Sequence, residues 1–272
     1  MPGNSTPHFS RMAGSRPISF ATLAMAIPAG FFRATPGFPL TAPAMSFEPD
    51  MNKKQAILAL DTTMRRSAIA ISRNGTLLAF LQDIPDSKGQ AERLMPLIMA
   101  TMKMAGLAFD SLGAIAATVG PGSFTGLRVG LAAARGIALA ADIPVHGITS
   151  FDALAEAVRE TTESPLDIAI AIDSRRGDLF FRLDSHGQAG EACALSPEKA
   201  ADLCPKGPFI VCGDGASLLM RALPEHTNIL LRDDITDPDP RIMAHMAETG
   251  RALVPPTPLY MRPPDVTLPK TS

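Results

Sequence analysis

The chain has 272 residues, 46% of them apolar and 19% charged, with a formal net charge of −2. That length and apolar content supply a sizeable core, enough for two modest domains. The near-neutral balance excludes a chain that holds RNA phosphates by bulk charge, so a nucleic-acid role requires a local patch or a partner.

Residues 1–49 carry prolines at 2, 7, 17, 28, 36, 39, 43 and 49, no acidic residue before Glu48 and no sustained period. That composition predicts a disordered extension. Within it, residues 18–32, preceded by Arg11 and Arg16, have the make-up of a short signal or transit core. Met51-Asn52-Lys53-Lys54, directly ahead of the first strong strand, reads instead as a natural start of the folded part, with the extension as an over-long reading frame. No stretch reaches the roughly 20 uninterrupted apolar residues of a membrane helix, so no membrane partner is expected.

Residues 56–60 (AILAL) predict a buried strand ending in Asp61. After the turn TTMRR, residues 67–72 form a second strand, and Asn74-Gly75 predicts a hairpin into 76–81. Residues 91–105 repeat apolar side chains at Leu94, Ile98, Met102 and Ala105, a helical stripe that admits Pro96 only in its first turn or at a kink. A buried strand at 114–119, the loop GPGSFTG, a helix at 127–141, a strand at 145–149 and a helix at 151–161 complete this half. The order predicts a mixed sheet flanked by helices, an α/β layer architecture. A second copy begins later: ILALDTTMRRSAIAI (57–71) and AIAIDSRRGDLFF (169–181) share an apolar strand ending in Asp, a polar turn with paired arginines, and a returning strand. Duplication implies two facing α/β domains of ribonuclease-H-like or actin-like layout, in which a nucleotide sits between the halves.

Candidate nucleotide or phosphate contacts are Asp61 and Thr62 on the first turn and Gly122, Ser123 and Arg128 around the glycine-rich loop. Asp61 has two readings, a magnesium-shell carboxylate or a strand-end residue capping its own turn. Thr63 and Met64 stand where a glycine would let backbone amides converge on phosphate. The GPGSFTG loop ends in Gly126-Leu127-Arg128 instead of GK[ST], so it is not a Walker A loop. Ser123 is outside a GxSxG elbow. The five histidines show no HxxxH or HExxH pair, so no metal site is expected. Cys193, Cys204 and Cys212 are odd in number and lack CxxC spacing, which fits reduced thiols. Arg175 and Arg176 either contact phosphate or solvate a turn. Along the helix, Gly126, Gly130, Ala134 and Ala138 recur every fourth residue. They form a shallow row that can admit another helix or pack on the chain's own sheet. Met95, Met99, Met102 and Met104 precede them as an adaptable surface or as core filler.

The segment VGPGSFTGLRVGLAAARGIALA (119–140), with ILALDTT before it, AIDSRRGDLFF after it and the tail TPLYMRPPDV, resembles the bacterial TsaB family over residues 55–266. This resemblance implies an actin-like paralogue of TsaD, acting as a non-catalytic subunit in N6-threonylcarbamoyladenosine formation in tRNAs reading ANN codons. It implies a cytoplasmic setting and three partners: a TsaD-type transferase, a TsaE-type ATPase, and tRNA through the complex. A homodimer is an alternative assembly. No cofactor is expected in the isolated chain, with ATP and magnesium belonging to the complex. The implied partner-binding helices place Leu94, Met95, Ile98, Met102, Gly126, Leu127, Gly130, Ala134 and Ala138 at the interface. The implied division is an extension at 1–52, a partner-binding domain at 53–152 and a degenerate second domain at 153–272. Many relatives carry a His in the segment that reads KGQAER here, where Gln90 stands. The competing reading is an actin-like ATP-dependent enzyme or peptidase-like hydrolase acting alone.

Overall fold

The first strand, β1 (Ala56–Asp61), is buried along its whole length, as an apolar run at the centre of a sheet requires. It pairs antiparallel with β2 (Ala68–Arg73), which turns into β3 (Thr76–Gln82). On its other side it runs parallel to β4 (Leu112–Gly120), itself parallel to β5 (Val145–Thr149). The order is β3-β2-β1-β4-β5. Asn74 and Gly75 both take positive φ, 52° and 74°, the pair that a tight Asn-Gly hairpin needs. α1 (Gln90–Ala105) joins β3 to β4, α2 (Phe124–Ala141) joins β4 to β5, and α3 (Ser150–Thr161) follows. The computed structural model describes residues 55–262 except 65, 84–88, 164 and 224–227. The extension expected at 1–52 lies outside the described residues.

The second half repeats the plan. β6 (Asp167–Asp173) pairs antiparallel with β7 (Leu179–Asp184), and β7 with β8 (Cys193–Leu195). β6 also runs parallel to β9 (Phe209–Cys212), which runs parallel to β10 (Ile229–Leu231). The order β10-β9-β6-β7-β8 matches the first sheet strand for strand. α4 (Pro197–Asp202), α5 (Ala216–Ala222) and α6 (Pro240–Thr249) take the chain positions of α1, α2 and α3. The repeated Asp-turn motif therefore extends to the whole topology, giving two mixed sheets of ribonuclease-H-like, actin-like order flanked by helices.

Period-two burial sets the layers. Leu58 and Leu60 of β1 pack with Leu94, Ile98 and Leu131 of α1 and α2. Ile57 and Ala59 point the other way, onto Ala153 of α3 and Met243 and Met246 of α6. α3 also packs Phe151, Leu154 and Val158 on Ile168, Ile170 and Ile172 of β6, so it lies between the sheets. Charge fixes it there: Arg182 of β7 donates to Asp152 of α3 at 2.8 Å and to Asp184 at 3.0 Å, and Arg159 of α3 donates to Asp184 at 2.9 Å. α1 and α2 form the outer layer of the first sheet. Among the described residues one helix, α2, is long and apolar enough to cross a bilayer, and its buried side chains pack on its own sheet.

Two expectations shift. Pro96 lies in the second turn of α1, tolerated because its ring faces solvent and the helix forgoes one backbone bond. α2 begins at Phe124, earlier than expected, because Ser123 caps it by accepting the Gly126 amide at 3.2 Å.

Candidate functional site

Asp61 ends β1 with 2% of its surface exposed. Its Oδ1 accepts the Thr118 hydroxyl at 2.6 Å, the Thr63 hydroxyl at 2.7 Å and the Thr63 amide at 3.1 Å. Burial pushes its carboxyl up to about 6; the Thr118 and Thr63 bonds oppose the shift, and the nearby Asp237 charge adds to it. Thr62, equally buried, donates its hydroxyl to the Gly126 carbonyl at 2.8 Å. Gln90 opens α1 and donates to the Thr62 carbonyl at 3.1 Å. The Ser123 amide donates to the Thr63 carbonyl at 2.7 Å, and a Cβ on Gly122 would come within 2.6 Å of Thr63 Cβ. The glycine-rich loop is thus docked on the DTT turn. Asp61 and Thr62 are closed off and committed to internal bonds, which corrects their expected role as phosphate contacts. Gly122, Ser123 and Arg128 do line an open cleft.

The small-residue row of α2 also faces inward. A Cβ on Gly126 would overlap the Thr62 carbonyl oxygen, and one on Gly130 the Thr62 hydroxyl. Ala134 and Ala138 are buried in the core of the first sheet with Leu94, Ile98 and Met102 of α1, and Leu127 is buried as well. These eight residues cannot line a partner surface. The row exists to let α2 approach the end of β1, where packing against the chain's own sheet wins. Of the expected interface residues, Met95 is exposed.

The outward face carries a different set. Met99 and Leu139 are 60% and 86% exposed, and Met95 and Met104 are also open. Met95, Phe109, Ala133, Gly136, Ile137 and Ala140 line a groove of about 530 Å³. A Cβ on Gly136 would meet nothing within 4 Å. The sequence reading did not single out Ala133, Gly136, Leu139 or Ala140; their spacing forms a second small-and-apolar row on the opposite side of α2 from the glycines. Contiguous exposed apolar surface of this kind marks interaction sites.

A cleft of about 920 Å³ lies between the DTT turn and the N-terminus of α2 on one side and the β6–β7 turn on the other. On the β6–β7 turn Arg175 takes φ 62°, its amide donates to Asp173 at 2.7 Å, and its guanidinium bridges Asp173 at 3.0 Å and Asp214 at 2.5 Å. Arg175 therefore closes its own turn while lining the cleft beside Arg176. A C-terminal strap forms the third wall. Val254 pairs with Gly147, and the Leu259 amide donates to the Val119 carbonyl at 2.7 Å. Tyr260 then stacks on Phe124.

Comparison with known proteins gives matches in sequence and in fold. The family model for TsaD, tRNA N6-adenosine threonylcarbamoyltransferase, matches residues 86–204. The tRNA threonylcarbamoyladenosine biosynthesis protein TsaB of Escherichia coli is 29% identical over 168 residues, covering 58% of this chain and 71% of that protein. The protein of the same name from Haemophilus influenzae is 33% identical over 125 residues, covering 46% of this chain and 52% of that protein. These relatives support a resemblance to the TsaB family. The solved structure of YeaZ from Pseudomonas aeruginosa superposes with a TM-score of 0.64 at 24% identity, covering 76% of this chain and 99% of that one, which shows the shared fold. The stretch matched by the TsaD model takes in both outer helices and the glycine-rich loop between them.

Proposed function

We propose that this chain is a non-catalytic subunit for N6-threonylcarbamoyladenosine formation in tRNAs reading ANN codons, docking a TsaD-type transferase through the outer face of α1 and α2. The observation that carries this reading is the exposed methionine and leucine face around the Gly136 groove. Two comparisons support the choice of occupant. The TsaB relatives bear the name of that modification, and residues 86–204 match the TsaD model itself, so the partner carries a like helix pair able to pack against this one. The chemistry then belongs to the transferase, because the turn carboxylate here is capped by threonines. A TsaE-type ATPase and tRNA act on the assembled pair. In this reading 53–152 is the partner-binding domain and 153–272 the second domain.

The test is co-purification with a TsaD-type transferase. Leu139→Asp places a charge inside an interface of about 800 Å² per partner, and Gly136→Leu fills the groove. Loss of the complex with unchanged melting supports the docking face. A complex that survives both changes overturns it. Light scattering of the isolated chain reports whether the same face pairs two copies.

A further inference from the structure

The C-terminal strap, Val254 to Arg262, touches both halves of the molecule. Its start is fixed to the first half: Val254 exchanges two backbone bonds with Gly147 of β5, at 2.8 and 2.9 Å, and its side chain packs on the core of the first sheet. A Cβ on Gly147 would come within 2.7 Å of the Pro255 carbonyl oxygen, and one on Gly120 within 2.9 Å of the Leu259 carbonyl oxygen. Both strands thus carry glycine where the strap backbone crosses them. Its end belongs to the second half. Met261 and Phe180 pack against the core that β6 shares with α3, and Arg262 pairs with Asp178 beside the Phe180 ring.

The middle of the strap is held differently. Pro255, Pro256 and Pro258 have no N–H to give, and the Thr257 amide bonds back to the Pro255 carbonyl at 2.7 Å. From 255 to 258 the backbone therefore offers the sheet no donor, and it is gripped instead by its carbonyl: Arg135 of α2 donates Nη2 to the Pro256 oxygen at 2.6 Å. Further along, Arg128 of α2 donates Nε to the Tyr260 hydroxyl at 3.3 Å.

Those two arginines place the strap relative to the docking face. At about 100° per residue, Phe124, Arg128 and Arg135 fall on one flank of α2, while Ala133, Gly136 and Ala140 fall on the other, where Met95 of α1 helps line the groove. Ala132 and Leu139, both exposed, lie between the two flanks. The outer arc of α2 thus runs in a trough with α1 on one side and the strap on the other. Leu139 is one helical turn from Arg135, so a partner seated on Leu139 also covers the exposed bond from Arg135 to the strap. Shielding that bond from water strengthens it.

We propose that the strap couples occupancy of the α2 docking face to the second half of the molecule. A protein partner in the trough holds Arg135 on Pro256, and the strap, stiffened by its prolines, fixes the β6–β7 turn through Arg262 and Asp178. The proposal rests on the docking reading given above and adds to it a route by which docking is felt across the cleft.

Hydrogen-exchange mass spectrometry of the full chain, alone and with a TsaD-type transferase, tests the coupling. In the free chain, Arg135→Met keeps the stem and removes the donor. It speeds exchange about threefold or more in segments 253–262 and 174–180, the scale of one exposed hydrogen bond. Arg135→Lys, which restores a donor, returns the rates toward the parent's. Docking of the transferase slows both segments about tenfold or more in the parent. Arg262→Ala, changed only on the second half, keeps the docking-induced protection of 253–258 and loses that of 174–180. Both arginines reach solvent, so melting stays unchanged, and the parent with and without transferase decides the matter should either variant unfold. A complex that protects α1 and α2 but leaves both segments at free-chain rates overturns the coupling and leaves the docking face standing. Arg135→Met exchanging like the parent, or protection of 174–180 that persists in Arg262→Ala, overturns the strap as the route. No complex with the parent chain overturns the docking face and the coupling with it.

Discussion

Thr62 occupies the space that a side chain on Gly130 would fill: its hydroxyl lies against the Gly130 Cα and donates to the Gly126 carbonyl at 2.8 Å. The two glycines therefore act within the chain. Alanine at Gly126 or Gly130 gains about 1 kcal/mol of helix propensity but forces Thr62 out of place, so each variant is expected to lose about 1–3 kcal/mol net. Alanine at Gly136, where the space is open, is expected to gain about 0.5–1 kcal/mol. Urea unfolding of the three variants checks the ordering, and stabilised Gly126 and Gly130 variants would contradict the packing described.

On the outer face, Leu139→Asp and Gly136→Leu are expected to reduce co-purification with a TsaD-type transferase by more than tenfold at unchanged melting temperature. Gly130→Leu is expected to unfold the protein instead. A pull-down read beside a melting curve distinguishes the two outcomes.

Asp61 gives a pH dependence with a defined sign. Its folded value, about 6, lies above its ordinary 3.8, so the folded state favours the protonated form. This group's contribution to stability grows as pH falls from about 6 to about 4 and is lost as pH rises through 6. Above that, the buried ionised carboxylate costs up to about 3 kcal/mol. Asp61→Asn retains the acceptor for Thr118 and Thr63 and removes the charge. It is expected to be more stable than the parent at pH 8, with the difference shrinking toward pH 4. A difference that is flat across that range rules out the burial effect.

Arg182 links α3 to the second sheet through Asp152 and Asp184, and both Arg182 and Asp184 are nearly inaccessible. Arg182→Met strands buried carboxylate charge and is expected to cost about 3–5 kcal/mol. Guanidinium chloride denaturation measures it, and a loss under 1 kcal/mol would show that Arg159 alone satisfies Asp184.

The sequence makes the first sheet readable because its strands announce themselves locally: AILALD is a continuous apolar run, and Asn74-Gly75 can only be a tight turn. β8, α4 and β10 span three to six residues each, too short for a period to emerge, so the second sheet was visible only through its hairpin. The candidate interface failed for another reason. A row of small residues looks the same in sequence whether it faces a partner or the chain's own sheet. What decides between them is Thr62, 64 residues from the carbonyl it bonds. The cleft was legible at Gly122, Ser123 and Arg128, whereas the strap that brings Tyr260 to Phe124 depends on tertiary pairing of Leu259 and Val254 with β4 and β5.

Tyr260 has one more property. The chain contains a single tyrosine and no tryptophan, so its entire near-ultraviolet emission above phenylalanine originates at one ring, resting on Phe124 under the Arg128 side chain. Peeling of the C-terminal segment away from β4 can be timed from that signal alone, with no dye, label or engineered probe.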